Sequence, residues 1–141
     1  MDLRTRRRGT AIVENKDGGI LVVAGRHKVF LLPGGTANHG ETRHKAAIRE
    51  LKEETELKAY YSKVLFRHNS DKIHKAHGCY YFKDAHTVVL IKATGHVKPR
   101  SDAKYAEWYY PESDIRLSTA TKDIIDRYYA YKTKSWWEFW K

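Results

Sequence analysis

The succession of sequence patterns predicts an α+β sandwich, with short strands arranged around one early helix and one late helix. Three observations carry it: short β-branched or aliphatic runs bounded by turn residues, a charged amphipathic segment over Thr42 to Thr55, and an apolar stripe of Ile124, Ile125, Tyr128 and Tyr129. Thr10 to Val13 and Ile20 to Ala24 are the first strands, and the link Asn15-Lys16-Asp17-Gly18-Gly19 suggests a hairpin. Val29 to Leu32 reads as a buried strand entering Pro33-Gly34-Gly35. Two glycines there let backbone approach a ligand closely, so a carbonyl of Gly34 or Gly35 is a candidate for a metal shell. Tyr60 to Arg67, Cys79 to Phe82, Thr87 to Ala93 and Tyr105 to Tyr110 follow as strands, with Gly95 closing the third and Lys98 to Lys104 forming a polar loop. Pro111-Glu112-Ser113-Asp114 then turns into the final helix, Ser118 to Tyr131.

The early helix concentrates acid. Glu50, Glu53 and Glu54 stand at i, i+3 and i+4, so the 3.6-residue repeat puts them on one arc of roughly 100°. Like charges so placed weaken a helix by a few tenths of a kcal/mol, and close carboxylates resist simultaneous ionisation. A divalent cation resolves that conflict. Ala47, Ile48 and Leu51 occupy the neighbouring arc and give the helix an apolar face to bury, while Ala46 leaves room for ions inside the acidic one. Arg49 flanks Glu53 and can fix a carboxylate rotamer of Glu53 or Glu41 by a forked hydrogen bond.

The spacing extends beyond the helix. From Gly35 the chain runs five residues to Glu41 and seven more to Arg49-Glu50-Leu51-Lys52-Glu53-Glu54-Thr55-Glu56-Leu57. This resembles the Nudix hydrolases, whose signature is G-x5-E-x7-R-E-U-x-E-E-x-G-U, with U a bulky aliphatic residue. Agreement at the six fixed positions Gly35, Glu41, Arg49, Glu50, Glu53 and Glu54 is expected by chance well under about once in ten thousand chains of this size. The departure is Glu56, where the family has Gly. Glycine at that point suits a left-handed helix cap, so the exit from the helix is the place where a difference is expected.

The resemblance implies a mixed β-sheet packed between the Nudix-box helix and the C-terminal helix, an α/β/α sandwich. It also implies cleavage of a diphosphate bond in a nucleoside diphosphate linked to another group, with Mg²⁺ or Mn²⁺ as cofactor. Oxygen-only ligands suit such hard cations. On the matching positions Glu50 and Glu54 are metal ligands, Glu53 a shared or second ligand, and Glu41 either orients the helix or binds metal through water. Arg49 would hold Glu41 or Glu53 rather than touch substrate. A general base is expected on a loop away from the box: Asp102 is the candidate and Glu107 the alternate. Arg26 and Lys28 are candidates for holding terminal phosphates, against the reading of solvated hairpin charges. His68, His74 and His77 read as strand-surface polar residues rather than as three ligands of a transition metal.

At 141 residues the chain is long enough for one domain with a real core, flanked here by a basic arm over residues 1–8 and an aromatic tail over 133–141. For Trp136, Trp137, Phe139 and Trp140, packing on the domain or on a second subunit, as in a homodimer, is favoured over base stacking or shallow membrane insertion. No stretch is apolar for the length of a bilayer, and no signal-peptide apolar region follows Arg4 to Arg8, so a cytoplasmic location is expected. The single Cys79 excludes an internal disulfide and a cysteine-based zinc site. A net charge of +10, with acids concentrated on one helix, favours polyanionic ligands. The expected partner is therefore a small phosphorylated metabolite, a nucleotide. A nucleoside triphosphate cleaved to a monophosphate is the first reading. A diphosphoinositol polyphosphate is the alternative, since the positive balance suits a highly anionic substrate that Arg26 could serve; the downstream proline or tyrosine signals associated with ADP-ribose or dinucleoside polyphosphate enzymes are not found. The reading from another class is a weakly catalytic RNA-binding domain using Arg4 to Arg8 and the tail aromatics.

Overall fold

The computed structural model describes residues 2–76, 78 and 80–140, with side chains up to residue 134 in the last helix. The readings made of His77, Cys79 and the tail's aromatic side chains lie outside the described residues. Chain order is β1 (Leu3–Ile12), β2 (Ile20–Ala24), β3 (Gly34–Thr36), α1 (Arg43–Thr55), β4 (Lys58–Asn69), β5 (His74–Lys75), β6 (Tyr81–Thr94), β7 (Tyr105–Tyr109) and α2 (Thr119–Trp140). A mixed sheet runs β3-β1-β6-β4, with β5 also on β6, and β2 and β7 form a second, two-stranded sheet. Only the β1 and β6 pairing is parallel within the larger sheet; β3, β4 and β5 join antiparallel.

Strand alternation assigns the two faces. Ala11, Val13, Val89 and Ile91 pack with Ala47, Leu51 and Leu57 on the α1 side. Ile12 and Val88 pack with Ile124, Ile125 and Tyr128 on the α2 side, beside Ile20 and Val22. The helices therefore sandwich the sheet, as expected. Gly9 sets the approach of α1: a Cβ there would stand 2.0 Å from the Arg43 carbonyl oxygen and 2.5 Å from the Ala47 nitrogen. Gly34 does the same between strands, where a Cβ would meet the Gly9 carbonyl oxygen at 2.4 Å.

Several elements differ from the sequence reading. The segment read as a basic arm is strand from Leu3 onward, paired with β6 along its whole length from Leu3↔Tyr81 to Ile12↔Leu90. Two of its arginines find partners locally. Arg4 binds Asp2 and lies 4.1 Å over the Tyr80 ring, while Arg6 forks onto Asp84 and lies 4.3 Å over Phe82. Those arginines are thus not a free arm of the kind the RNA-binding reading drew on. Val29 to Leu32 does not become a strand. Lys28 has a left-handed backbone (φ 55°), and only Phe30 and Leu31 form isolated bridges, to Leu117 and Val23. The sequence predicts separate strands over Cys79 to Phe82 and Thr87 to Ala93, yet β6 is continuous from Tyr81 because Asp84 and His86 find partners in β1. The final helix runs to Trp140, beyond the expected end at Tyr131.

Replacing Gly9 by Ala should cost about 3 kcal/mol or more, since backbone rather than a flexible side chain must yield. Thermal melts are expected to show a drop of many degrees; a variant melting within a degree of the parent would contradict this packing.

Candidate active site

Helix α1 starts at the Thr42 N-cap, whose hydroxyl accepts from the Lys45 amide at 3.1 Å. It buries Ala46, Ala47, Leu51 and Thr55 and leaves its acids towards β3. Arg49 is the hub. Its Nε and Nη2 fork onto Glu41 at 2.9 and 3.0 Å, Nη1 donates to Glu50 at 2.9 Å and to Glu53 at 3.2 Å, and Nη2 also reaches the Thr36 carbonyl at 3.1 Å. The forked bond to Arg49 and the Asn38 amide hold the Glu41 carboxyl down at about 2. In return the Arg49 guanidinium is pushed up, chiefly by Glu41.

The glycine pair fits this assembly tightly. The Gly34 amide donates to Glu54 at 2.8 Å, and a Cβ on Gly35 would stand 2.5 Å from the Glu50 carboxyl carbon. Glu54 is half-buried. Burial pushes its carboxyl up to about 7, against the Gly34 hydrogen bond, and Glu50 and Asp102 push the same way while Arg8 opposes. Asp102 comes near because its loop is tied to the end of α1: the Lys98 and Arg100 amides donate to the Thr55 and Glu54 carbonyls at 3.0 and 2.8 Å.

The helix exit keeps the left-handed cap despite the missing glycine. Glu56 has φ 65°, and its amide donates to the Lys52 carbonyl at 2.9 Å. Its carboxylate pairs with Arg100, so the side chain that strains the cap also fastens the Asp102 loop. Other sequence candidates fall elsewhere. Arg26 and Lys28 are exposed on the turn before Phe30, with the Lys28 amine 4.7 Å over the Tyr105 ring, and Glu107 is exposed on β7 opposite Val22. Among the described residues no three carboxylate, imidazole or thiol groups converge as they stand on a metal-sized point. Glu50 and Glu53 are turned onto Arg49, and Glu54 onto Gly34.

The sequence reading missed a cavity of about 320 Å³ on the α2 side of the sheet. Arg6, Arg8, Thr10, His68, Asp84 and His86 line it, together with the first turn of α2. Arg8 connects it to the acids, for Glu50, Glu54 and Asp84 all act on its charge. The period-two run Arg4, Arg6, Arg8 was the available signal, since alternate residues of a strand share a face.

Comparison with known proteins agrees with this fold. The model of the NUDIX domain matches residues 4–131. A protein of Methanocaldococcus jannaschii described as an ADP-ribose pyrophosphatase is 30% identical over 122 residues, covering 83% of this chain and 69% of that protein. A Nudix hydrolase family member from Chromobacterium violaceum superposes with a TM-score of 0.74 at 36% identity, over 89% of this chain and 77% of that one. A bifunctional NMN adenylyltransferase/ADP-ribose pyrophosphatase from Francisella tularensis, complexed with AMP and a manganese ion, shares the fold. Its TM-score is 0.58 at 23% identity, over 86% of this chain and 40% of that one. The chain belongs to the Nudix family and is a hydrolase acting on pyrophosphate bonds.

The site carries a pH signature in stability. Burial, then Arg8, push the His86 imidazole down to about 4, with His68 and Arg6 adding and Asp84 opposing. A histidine kept neutral in the fold stabilises above its ordinary value of 6.5; as pH falls from there towards 4, the unfolded chain takes up a proton that the fold refuses, and this stability is lost. Glu54, which binds its proton more readily in the fold, works in the opposite sense, so the total curve is shallow. Comparison with His86→Gln isolates the histidine. In melts with EDTA the parent-minus-variant difference in Tm should fall steadily from pH 7 to pH 4.5; a constant difference would contradict the assignment.

Proposed function

We propose that this chain is a divalent-metal-dependent pyrophosphohydrolase of nucleotides, with a nucleoside triphosphate cleaved to a monophosphate as the first reading. The observation that carries it is the half-buried Glu54 carboxyl beside Glu50 and Asp102. Negative charge there exceeds what Arg49 and Arg8 offset, and every donor is a hard oxygen. Such a set fits Mg²⁺ or Mn²⁺. Glu50, Glu53 and Glu54, with a carbonyl of Gly34 or Gly35, would hold the ion once the carboxylates of Glu50 and Glu53 swing from Arg49. When bound, the ion gathers phosphate oxygens and offsets their charge.

This chain's own groups supply the rest. Arg49, fixed by Glu41, gathers the carboxylates of Glu50 and Glu53 on one side of α1 and offsets part of their mutual repulsion. Asp102, tethered by Arg100 to the end of α1, accepts the proton of the attacking water; Glu107, out on β7, is the less well placed base. Arg26 and Lys28 are outside the lining of the cavity, so a role in holding phosphates requires a substrate long enough to reach that turn. A second reading, an ADP-ribose-like substrate, is favoured by the 30% identical archaeal relative.

The test is a panel of nucleoside triphosphates, nucleotide sugars, ADP-ribose, dinucleoside polyphosphates and inositol pyrophosphates, assayed for released phosphate or pyrophosphate with Mg²⁺, Mn²⁺ or EDTA. Turnover should require the metal. Glu53→Gln and Glu54→Gln should each lower kcat by about a hundredfold or more, while Glu54→Gln melts at or above the parent temperature in EDTA because a buried charge has gone. Activity close to that of the parent in either variant would refute the reading.

A further inference from the structure

We propose that Arg8 and His86 form an anion-receiving subsite that takes a phosphoryl group of the substrate lying outside the acidic cluster. This deepens the hydrolase reading and rests on it for the identity of the ligand as substrate. Strand alternation puts Arg4, Arg6 and Arg8 on one face of β1. The first two are satisfied, by Asp2 and the Tyr80 ring and by Asp84 and the Phe82 ring. Arg8 is not. Its Nε is buried and has no acceptor among the described residues. Asp84, Glu54 and Glu50 act on it only through space, and Asp84 is already forked by Arg6. A half-buried guanidinium whose inner Nε–H has no acceptor favours an anion that compensates its lost hydration.

His86 is Arg8's register partner on β6. It is 8% exposed, its Nδ1 lies 2.7 Å from the Thr10 hydroxyl, and its Nε2 is buried without a partner. When the Thr10 hydroxyl donates to Nδ1, the neutral ring carries its proton on Nε2 and has a donor to offer. The unpartnered Arg8 Nε–H and, in that tautomer, the His86 Nε2–H on the adjacent strand therefore line one cavity, which the first turn of α2 also borders with the positive end of its dipole. The other acids of that cavity do not cancel this. Asp84 is paired with Arg6, whereas Asp71 and Asp123 are exposed and screened by water. No Phe, Tyr or Trp lines the cavity among the described residues, so the stacking surface that a neutral base would use is missing. The phosphoryl group could belong to the end of a triphosphate chain or to the sugar phosphate of a leaving group.

Calorimetric titration of the full chain in EDTA at low salt, with inorganic pyrophosphate, ribose 5-phosphate and adenosine as probes, tests the subsite directly. Pyrophosphate should bind best if the group is the end of a triphosphate chain, ribose 5-phosphate if it is a sugar phosphate. Arg8→Gln should weaken the preferred anion at least tenfold, Arg8→Lys less, and neither should alter adenosine. The proposal is overturned if the parent binds neither anion, if Arg8→Gln binds them as tightly as the parent, or if adenosine binding falls equally. Anion binding at Arg8 in a protein that hydrolyses no member of the nucleotide panel would sink the hydrolase reading and leave the subsite standing. Hydrolysis with unchanged KM in Arg8→Gln would do the reverse.

Discussion

The balance between Arg49 and the carboxylates around it is the constraint on which the rest of the structure depends. One guanidinium is shared by Glu41, Glu50 and Glu53, and it also reaches the Thr36 carbonyl at the end of β3. A lysine would offer one point charge in place of this fork and could not fix all of these groups at once. Because Arg49 occupies three of the acids, Glu54 must be held by other means, and the Gly34 amide supplies them. The glycines of β3 follow from the same demand. Only a backbone without Cβ can lie against both β1 and the Glu50 carboxyl.

The parallel register of β1 and β6 builds the opposite face of the sheet by similar reasoning. Arg6 stands beside Asp84 and Arg8 beside His86, so the first pair closes into an ion pair and the second stays open. Alternation then separates the labour: where β1 meets α1 its residues are small, at Gly9 and Ala11, while Arg6 and Arg8 stand on the opposite face with Thr10 and Ile12. The acids on α1 and the cations on the sheet are thereby held apart by the backbone, close enough for Arg8 to feel Glu50 and Glu54 but not to neutralise them.

The helix carrying the site was legible in the sequence because its meaning lies in local spacing. Thr42 caps it, Arg43 to Thr55 form it, and the arc of Glu50, Glu53 and Glu54 follows from the helical repeat alone. β2 and β7 were equally plain, as apolar or aromatic runs between turn residues. What escaped was non-local. The first half of β1 looks like a solvated basic run until Asp84, Tyr80 and Phe82, which lie about seventy to eighty residues away, are brought alongside. The same holds for the polar middle of β6 and for the three residues of β3, which are strand only because β1 pairs with them. Gly9 carried no local sign of its role, since the demand for its missing side chain comes from a helix more than thirty residues on. Arg26 and Lys28 are exposed on the turn before Phe30, with the Lys28 amine over the Tyr105 ring, a contact that their local sequence does not announce.

The claim at the centre is that the acids of α1 are arranged for a doubly charged cation and not for solvent. Titration of metal-free protein with Mn²⁺, followed by the loss of the free ion's paramagnetic resonance signal, addresses it most directly. The account predicts saturable uptake that Mg²⁺ displaces and that Glu54→Gln weakens strongly. A free-ion signal that rises in step with added Mn²⁺, unchanged when nucleotide is present, would contradict it.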